Sequence, residues 1–337
     1  MHKVWMRLAT AALLALGLHS SYAQGLIIDT AALLAAQQRG AIVWDVRDSD
    51  EYAAGHIAGA VNFGDAGDLF RDANREDPPS AAVAAKLFGD AGIDIVSREV
   101  VAYGSKGSAN TYYAARLLEY YGGRHGKVYH GGIEDWKAAG HPVSTVATQL
   151  APLKLVLSAE GIGALSTKDM LERVRAGHAQ IIDTRTPKEF SGEDIRAIRG
   201  GHIPGALSLP RESQWLDAST PAKLAARQVT NKDGMSLKPA EQLKAMYAKL
   251  DPAQETVVYC QSGVRASETA AVLRDLGFSN VKIYESSWLG YAGVLSAPAD
   301  NEVFFNVGAL NSRMATLQNR IRSLEAELGK LQQAGKR

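Results

Sequence analysis

The chain has 337 residues, 46% of them hydrophobic, and 37 Lys and Arg nearly balance 36 Asp and Glu for a formal net charge of +1. This balance argues against nucleic acid or an anionic membrane surface as the main partner, and the apolar content is sufficient for two ordinary domains. A single cysteine, Cys260, excludes an intrachain disulfide framework.

Residues 1–23 have the pattern of a secretory signal peptide. Lys3 and Arg7 form a basic start, an apolar run follows over residues 8–18, and Ser21-Tyr22-Ala23 is a small-x-small cleavage site. The apolar run is shorter than the about 20 residues needed to span a membrane. We therefore predict a periplasmic or secreted protein with no membrane anchor after cleavage.

The rest of the chain contains the same order of sequence segments twice, over residues 42–140 and 180–293. Two short apolar segments, 42–47 and 181–185, are each followed by a related turn, at 55–61 and at 201–207. Further on, an offset of 156 residues aligns residues 101–104 with residues 257–260. This self-similarity indicates an internal duplication.

Each copy alternates short apolar strands with amphipathic helical segments such as Thr30–Gln38 and Thr167–Arg175. This alternation predicts an α/β fold with two domains, 27–145 and 158–300, each a mostly parallel sheet with helices on both faces. Residues 141–160, with Pro142 and Pro152, are predicted to connect them. In such sheets ligands bind beyond the carboxyl ends of the strands.

The second copy has an insertion over residues 210–251, which contains Trp215 and a helix-like segment at 239–250. A long loop near a strand end either shapes a binding site or is a surface excursion without a role. The sequence leaves both interpretations open.

Cys260 follows the apolar segment 256–259 and precedes a helix-like segment at 266–274. A thiol on a tight loop at a helix N-terminus lies where backbone N–H groups and the helix dipole favour anionic sulfur. The loop from Cys260 to Arg265 therefore predicts a nucleophilic thiolate.

Residues 309–335 carry apolar side chains at spacings of three and four, which is typical of a coiled coil. The helix predicted there either pairs with a second chain or folds back onto its own domains. The stripe comprises Met314, Leu317, Ile321, Leu324, Leu328 and Leu331.

The chain resembles the tandem-domain rhodanese family of sulfurtransferases, which use thiosulfate or 3-mercaptopyruvate. Four motifs in the same order carry this resemblance: residues 183–185, 201–206, 260–265 and 284–288. The resemblance implies two rhodanese-like domains, of which the second is catalytic. In the first domain Gly104 replaces the cysteine and Ala109 replaces the closing arginine, so that domain is expected to be catalytically silent.

The resemblance also implies roles for single residues. Cys260 would carry sulfur as a persulfide, and the backbone of Gln261, Ser262, Gly263, Val264 and Arg265 would cradle it. Arg265 would either attract an anionic donor or pin the loop. Arg185, paired with Asp183 or Glu189, is expected to be structural, although it can face the donor in relatives, and Trp288 is expected beneath the site. Lys106 of the silent loop is expected to be a solvated loop lysine, with a position facing the cleft as the alternative.

The function that follows is ping-pong transfer of sulfane sulfur from a donor, thiosulfate in preference to 3-mercaptopyruvate, to cyanide or a thiol. The alternatives are a non-turnover sulfur carrier or partner-binding module and, last, a phosphatase. Only four residues separate Cys260 from Arg265, whereas a phosphate cradle of that type has five. No cofactor beyond the persulfide and no metal is expected, since the histidines show no ligand spacing and are interpreted as loop and surface residues.

Overall fold

The computed structural model describes residues 25–72, 77–159, 161 and 163–334. The predicted signal peptide at 1–23 lies outside these residues. None of the helices in these ranges combines the length and the apolar character needed to cross a membrane.

The first half of the chain forms a parallel sheet with the strand order β1-β5-β4-β2. A small antiparallel pair, β3 with β6, lies beside it. The strands are β1 (Ile27–Ile28), β2 (Ile42–Asp45), β3 (His56–Ile57), β4 (Val100–Tyr103), β5 (Gly126–Tyr129) and β6 (Val143–Ser144). The helices are α1 (Thr30–Gln38), α2 (Ser49–Ala54), α3 (Ala66–Leu69), α4 (Ala81–Asp90), α5 (Ala109–Tyr120) and α6 (Gly132–Ala138).

The second half forms a parallel sheet with the order β10-β8-β11-β12-β7, and β13 pairs with β9 in antiparallel orientation. The strands are β7 (Ala164–Leu165), β8 (Gln180–Asp183), β9 (Arg199–His202), β10 (Leu207–Ser208), β11 (Thr256–Tyr259), β12 (Val281–Tyr284) and β13 (Asp300–Phe304). The helices are α7 (Thr167–Ala176), α8 (Pro187–Ser191), α9 (Thr220–Ala225), α10 (Ala240–Met246), α11 (Val264–Asp275), α12 (Ser287–Ala292) and α13 (Val307–Ala334), with 3-10 turns at Arg211–Gln214 and Asp233–Met235.

Both faces of each sheet are buried, because side chains alternate along a strand and helices cover both sides. In β4, Val101 and Tyr103 pack with α1 and α6, whereas Val100 and Ala102 belong to a core that also contains residues of α5 and α11. The second sheet is covered in the same way. The predicted α/β fold with two parallel-sheet domains is confirmed.

The two halves share the core between α5 and α11. Ion pairs cross the same interface. Arg116 donates to Glu285 at 2.7 Å, and Arg274 donates to Glu119 at 2.7 Å. The carboxyl ends of both central strands, β4 and β11, are thereby held next to this interface.

The insertion at 210–251 contacts both halves and is not a bare surface excursion. Trp215 is buried, and its indole N–H donates to Glu268 of α11 at 2.8 Å. On the other side, the Met235 carbonyl lies 2.9 Å from a ring nitrogen of His130, in the first half. The insertion therefore bridges the two domains.

The terminal helix α13 begins at Val307, two residues before the predicted start. Its apolar stripe is exposed to solvent, so the folded-back arrangement considered from the sequence is not the one that the structure shows.

Candidate active site

Cys260 directly follows β11 and is 1% exposed. The turn into α11 passes through Gly263, whose φ of 85° is left-handed, and a Cβ there would lie 2.8 Å from the Glu285 carbonyl oxygen. Glycine is therefore required at this position by both conformation and space. The turn leads from Cys260 into α11, which begins four residues later at Val264.

The start of α12 holds the cysteine loop through backbone hydrogen bonds. The N–H of Trp288 donates to the Cys260 carbonyl at 3.0 Å, and the N–H of Leu289 donates to the Gln261 carbonyl at 2.9 Å. The Trp288 side chain is fully buried, and its indole N–H donates to the Arg199 carbonyl at 3.0 Å.

Ser287 is a second support that the sequence did not reveal. Its Oγ accepts from the N–H of Cys260 at 3.1 Å and from the N–H of Gly263 at 3.0 Å, and it donates to the Tyr284 carbonyl at 2.7 Å. Ser287 has a φ of 48°, which is strained for a residue with a side chain. The only sequence signal was its place in the motif 284–288, where the tryptophan drew attention first.

Four other N–H groups of the loop find no acceptor among the described residues: those of Gln261, Ser262, Val264 and Arg265. Two of them open α11, where the helix dipole adds positive potential. The loop therefore presents a row of donors to anything bound at the thiol.

Arg265 forms a bidentate ion pair with Glu189 of α8, with both N–O distances at 2.7 Å. Burial raises the pKa of Glu189, but the hydrogen bond and charge of Arg265 outweigh it and hold this pKa at about 2. Burial acts to lower the pKa of Arg265, yet the hydrogen bond to Glu189 and the electrostatic interaction with the nearby Cys260 raise it above its ordinary value. Of the two roles left open for Arg265, this geometry favours pinning of the loop.

Arg185 pairs with Asp183 rather than with Glu189. The Arg185 side chain, which is 1% exposed, donates to both carboxylate oxygens of Asp183 and to the Gly201 carbonyl at 2.7 Å. Its guanidinium also lies 4.7 Å from the ring centroid of Trp288. These contacts give Arg185 a structural place beneath the loop.

The first domain, which has Gly104 at the position of Cys260, also supplies a cation to the loop. A guanidinium nitrogen of Arg71 donates to the Ser262 hydroxyl. The neighbouring Phe70 carbonyl accepts from the Tyr113 hydroxyl at 2.8 Å, which anchors this segment on α5. No local sequence pattern indicates a role for Arg71, because the contact joins residues 191 positions apart.

Two expectations about exposure were wrong, one for Lys106 and one for the histidines. Lys106 of the silent loop is 4% exposed and donates to Asp135 at 2.7 Å, so it is a buried ion-pair partner and not a solvated lysine. His56 and His202 are also buried, and each stacks on an aromatic ring of the preceding helix. Both histidines are core residues of their domains.

Comparisons with known proteins place this geometry in a family. The model of the rhodanese-like domain matches residues 29–139 and again residues 166–293. A putative thiosulfate sulfurtransferase of Mycobacterium leprae is 32% identical over 267 residues, which cover 75% of this chain and 88% of that protein. The thiosulfate sulfurtransferase of Corynebacterium glutamicum is 31% identical over 273 residues, covering 77% and 84%.

Two further similarities concern other activities. The sulfur carrier protein TtuD of Thermus thermophilus is 32% identical over 263 residues, covering 73% of this chain and 86% of that protein. The anaerobic ergothioneine biosynthesis enzyme of Chlorobium limicola, solved with trimethyl histidine, superposes with a TM-score of 0.64 at 20% identity. The match covers 77% of this chain but only 64% of that enzyme, and this likeness concerns the fold alone.

Proposed function

Because the chain belongs to the rhodanese-like family, with both halves matching the domain, we propose that it is a sulfurtransferase that carries sulfane sulfur as a persulfide on Cys260. The observation that carries the proposal is the lone cysteine at the end of β11, inside a loop whose four remaining N–H groups have no acceptor among the described residues. Such donors stabilise negative charge on sulfur in the same way as an oxyanion hole stabilises oxygen.

The reaction has two steps that balance in atoms and charge. The Cys260 thiolate attacks the outer sulfur of thiosulfate, a new S–S bond forms, and the S–S bond of the donor breaks so that sulfite leaves with the electron pair. An acceptor such as cyanide then attacks the terminal persulfide sulfur, takes it as thiocyanate and restores the thiolate. The first step produces the persulfide form of the enzyme and the second step restores the thiolate form, so ping-pong kinetics are expected.

A dianionic donor needs positive charge at the loop. Arg265 and Arg185 each meet a carboxylate, Glu189 and Asp183 respectively. Arg71, on the side of the first domain, donates to the hydroxyl of Ser262. We assign the attraction of thiosulfate to the open N–H groups of the loop, with the guanidinium of Arg71 next to them, because a dianion gains more from these donors than 3-mercaptopyruvate, which carries a single carboxylate.

The pattern of residues 1–23 supports export, so we place this activity in the periplasm or outside the cell. In that compartment a lone cysteine has no intrachain partner for a disulfide and stays available for sulfur chemistry.

The decisive experiment follows sulfur on the protein and in turnover. Incubation with thiosulfate is expected to add +32 Da, the mass of one sulfur, and steady-state transfer to cyanide should show parallel lines in a double-reciprocal plot. Cys260→Ser is expected to abolish both the adduct and turnover while its thermal unfolding stays close to that of the unaltered protein. Turnover retained in this variant would refute the assignment of Cys260.

A second candidate, a sulfur carrier with negligible turnover, is favoured by the similarity to TtuD, which is named a sulfur carrier protein. A stable +32 Da adduct combined with negligible thiocyanate formation would support the carrier, whereas sustained turnover would support the enzyme.

A further inference from the structure

Helix α13 presents a long apolar face that no described part of the chain covers. The helix has 28 residues and is about 42 Å long at 1.5 Å per residue. Its apolar side chains are between 38% and 70% exposed: Val307, Leu310, Met314, Leu317, Ile321, Leu324, Leu328 and Leu331. A continuous apolar stripe of this length is not typical of a helix that remains solvated on all sides.

The stripe has a regular heptad register over four heptads. The first core position of each heptad, called a, is occupied by Val307, Met314, Ile321 and Leu328. The second core position, called d, is leucine in all four heptads: Leu310, Leu317, Leu324 and Leu331. Two of the four a residues, Val307 and Ile321, are β-branched, and β-branched residues at a combined with leucine at d favour two parallel strands over trimers and tetramers.

The charges beside the stripe fit the same arrangement. Arg320 lies at position g, just before Ile321, and Glu325 lies at position e, just after Leu324; both are exposed. In a parallel, in-register pair, position g of one helix meets position e of the following heptad in the other helix. Arg320 of each copy then faces Glu325 of the other, whereas an antiparallel pair would bring g to g and e to e.

We propose that α13 pairs with α13 of a second copy of this chain, in parallel and in register from Val307 to Leu331, and that the protein is therefore a homodimer. The helix starts three residues after β13, which pairs with β9 of the second domain. Val303 and Phe304 at the end of β13 are also exposed and extend the apolar surface towards that domain. A parallel pairing places the two catalytic domains at the same end of the coiled coil.

The first test is the mass in solution, measured by light scattering during gel filtration. The unaltered protein is expected to have twice the mass of its chain, and Leu317→Glu combined with Leu324→Glu should reduce it to one chain. The matched control, Ala326→Glu, changes the outer face of the same helix and should remain dimeric. A monomeric or trimeric unaltered protein would overturn the proposal.

The second test reports orientation and does not depend on sulfur transfer. In a Cys260→Ser background, which contains no other thiol, Leu331→Cys is expected to form an interchain disulfide upon mild oxidation, because equivalent d positions face each other in a parallel pair. Ala326→Cys, on the outer face, should remain reduced. A dimer in which the Leu331→Cys variant does not cross-link would exclude the parallel register.

Discussion

The loops after β4 and β11 share their backbone hydrogen bonding and a left-handed glycine, but only the loop after β11 contains a cysteine. In the silent loop the N–H of Ile133 donates to the Gly104 carbonyl at 3.0 Å, and in the active loop the N–H of Trp288 donates to the Cys260 carbonyl at the same distance. Both loops turn through a left-handed glycine, Gly107 with a φ of 80° and Gly263 with a φ of 85°. Both copies thus have the same backbone conformation in this loop.

The space around the first loop residue differs between the two halves. A Cβ on Gly104 would lie 2.8 Å from Thr111 Oγ1 and 3.2 Å from Val46 Cγ2, so no side chain fits there without movement. Where Ser287 holds the active loop, the silent loop has Gly132, whose added Cβ would lie 2.6 Å from the Gly104 carbonyl oxygen. The first half thus has the same backbone geometry as the second, but Thr111 and Val46 occupy the space that a side chain at position 104 would need.

The largest effect is expected from the ion pair that the silent half lacks. Glu189→Gln leaves the partly buried guanidinium of Arg265 without its countercharge, and the loss of a buried ion-pair partner typically costs about 3 kcal/mol or more of unfolding free energy. Sulfur transfer should fall more than about a hundredfold as the loop loses its anchor. Denaturant unfolding and thiosulfate turnover measure both effects.

The matched control is Glu51→Gln, the corresponding glutamate of the first half, which is exposed and belongs to the half that has Ala109 where the second half has Arg265. It should change stability by no more than about 0.5 kcal/mol. Equal losses in the two variants would contradict the assigned difference between the halves.

The ion pair of Glu189 with Arg265 predicts that the stability of the protein depends on pH. The pKa of Glu189 is about 2 in the folded protein, below its ordinary value of 4.5. A lowered carboxyl pKa contributes stability that is complete above the unfolded value and is lost as the pH falls towards the folded value. The stability difference between the unaltered protein and Glu189→Gln should therefore shrink between about pH 4.5 and about pH 2, and a constant difference would argue against the ion pair.

A smaller effect is expected when Ser287 is changed to the glycine of the silent half. Ser287→Gly relieves a left-handed φ but removes the acceptor of two loop N–H groups, Cys260 and Gly263. An unsatisfied buried donor costs about 1–3 kcal/mol, and kcat/KM should fall by about 5–160-fold when the transition state bears this cost. Ser279→Gly, at an exposed turn of the same domain, is the control, and unchanged kinetics in Ser287→Gly would remove the serine from the site.

The sequence was sufficient for the parts of the molecule that depend on local pattern and duplication. It predicted both parallel sheets, and the helix predicted at Thr30–Gln38 has the bounds that the structure shows. It also placed Cys260 at the carboxyl end of a strand. These features follow from apolar periodicity and glycine positions, which act over a few residues.

The sequence was insufficient where the partner of a side chain lies far along the chain. The burial of Lys106 depends on Asp135, 29 residues away, and the contact of Arg71 with Ser262 depends on how the two domains pack. The bridging role of the insertion has the same origin, since Trp215 finds its acceptor on α11, 53 residues away. Pairings of this kind are set by tertiary packing and leave no local signal.

The smallest predicted effect concerns the contribution of the silent half to chemistry. Arg71→Gln keeps a hydrogen-bond donor near Ser262 but removes the charge, so the KM for thiosulfate should rise about tenfold while kcat changes little, because a cation that attracts the donor before the reaction contributes uniform binding. The increase in KM should be smaller for 3-mercaptopyruvate. It should also shrink at high salt, because salt screens the charge of Arg71 in the unaltered protein. Arg39→Gln removes an exposed arginine of the same domain, paired with Glu99, and should leave both constants unchanged. A KM for thiosulfate that does not respond to Arg71→Gln would restrict the silent half to structural support and would leave donor attraction to the loop N–H groups alone.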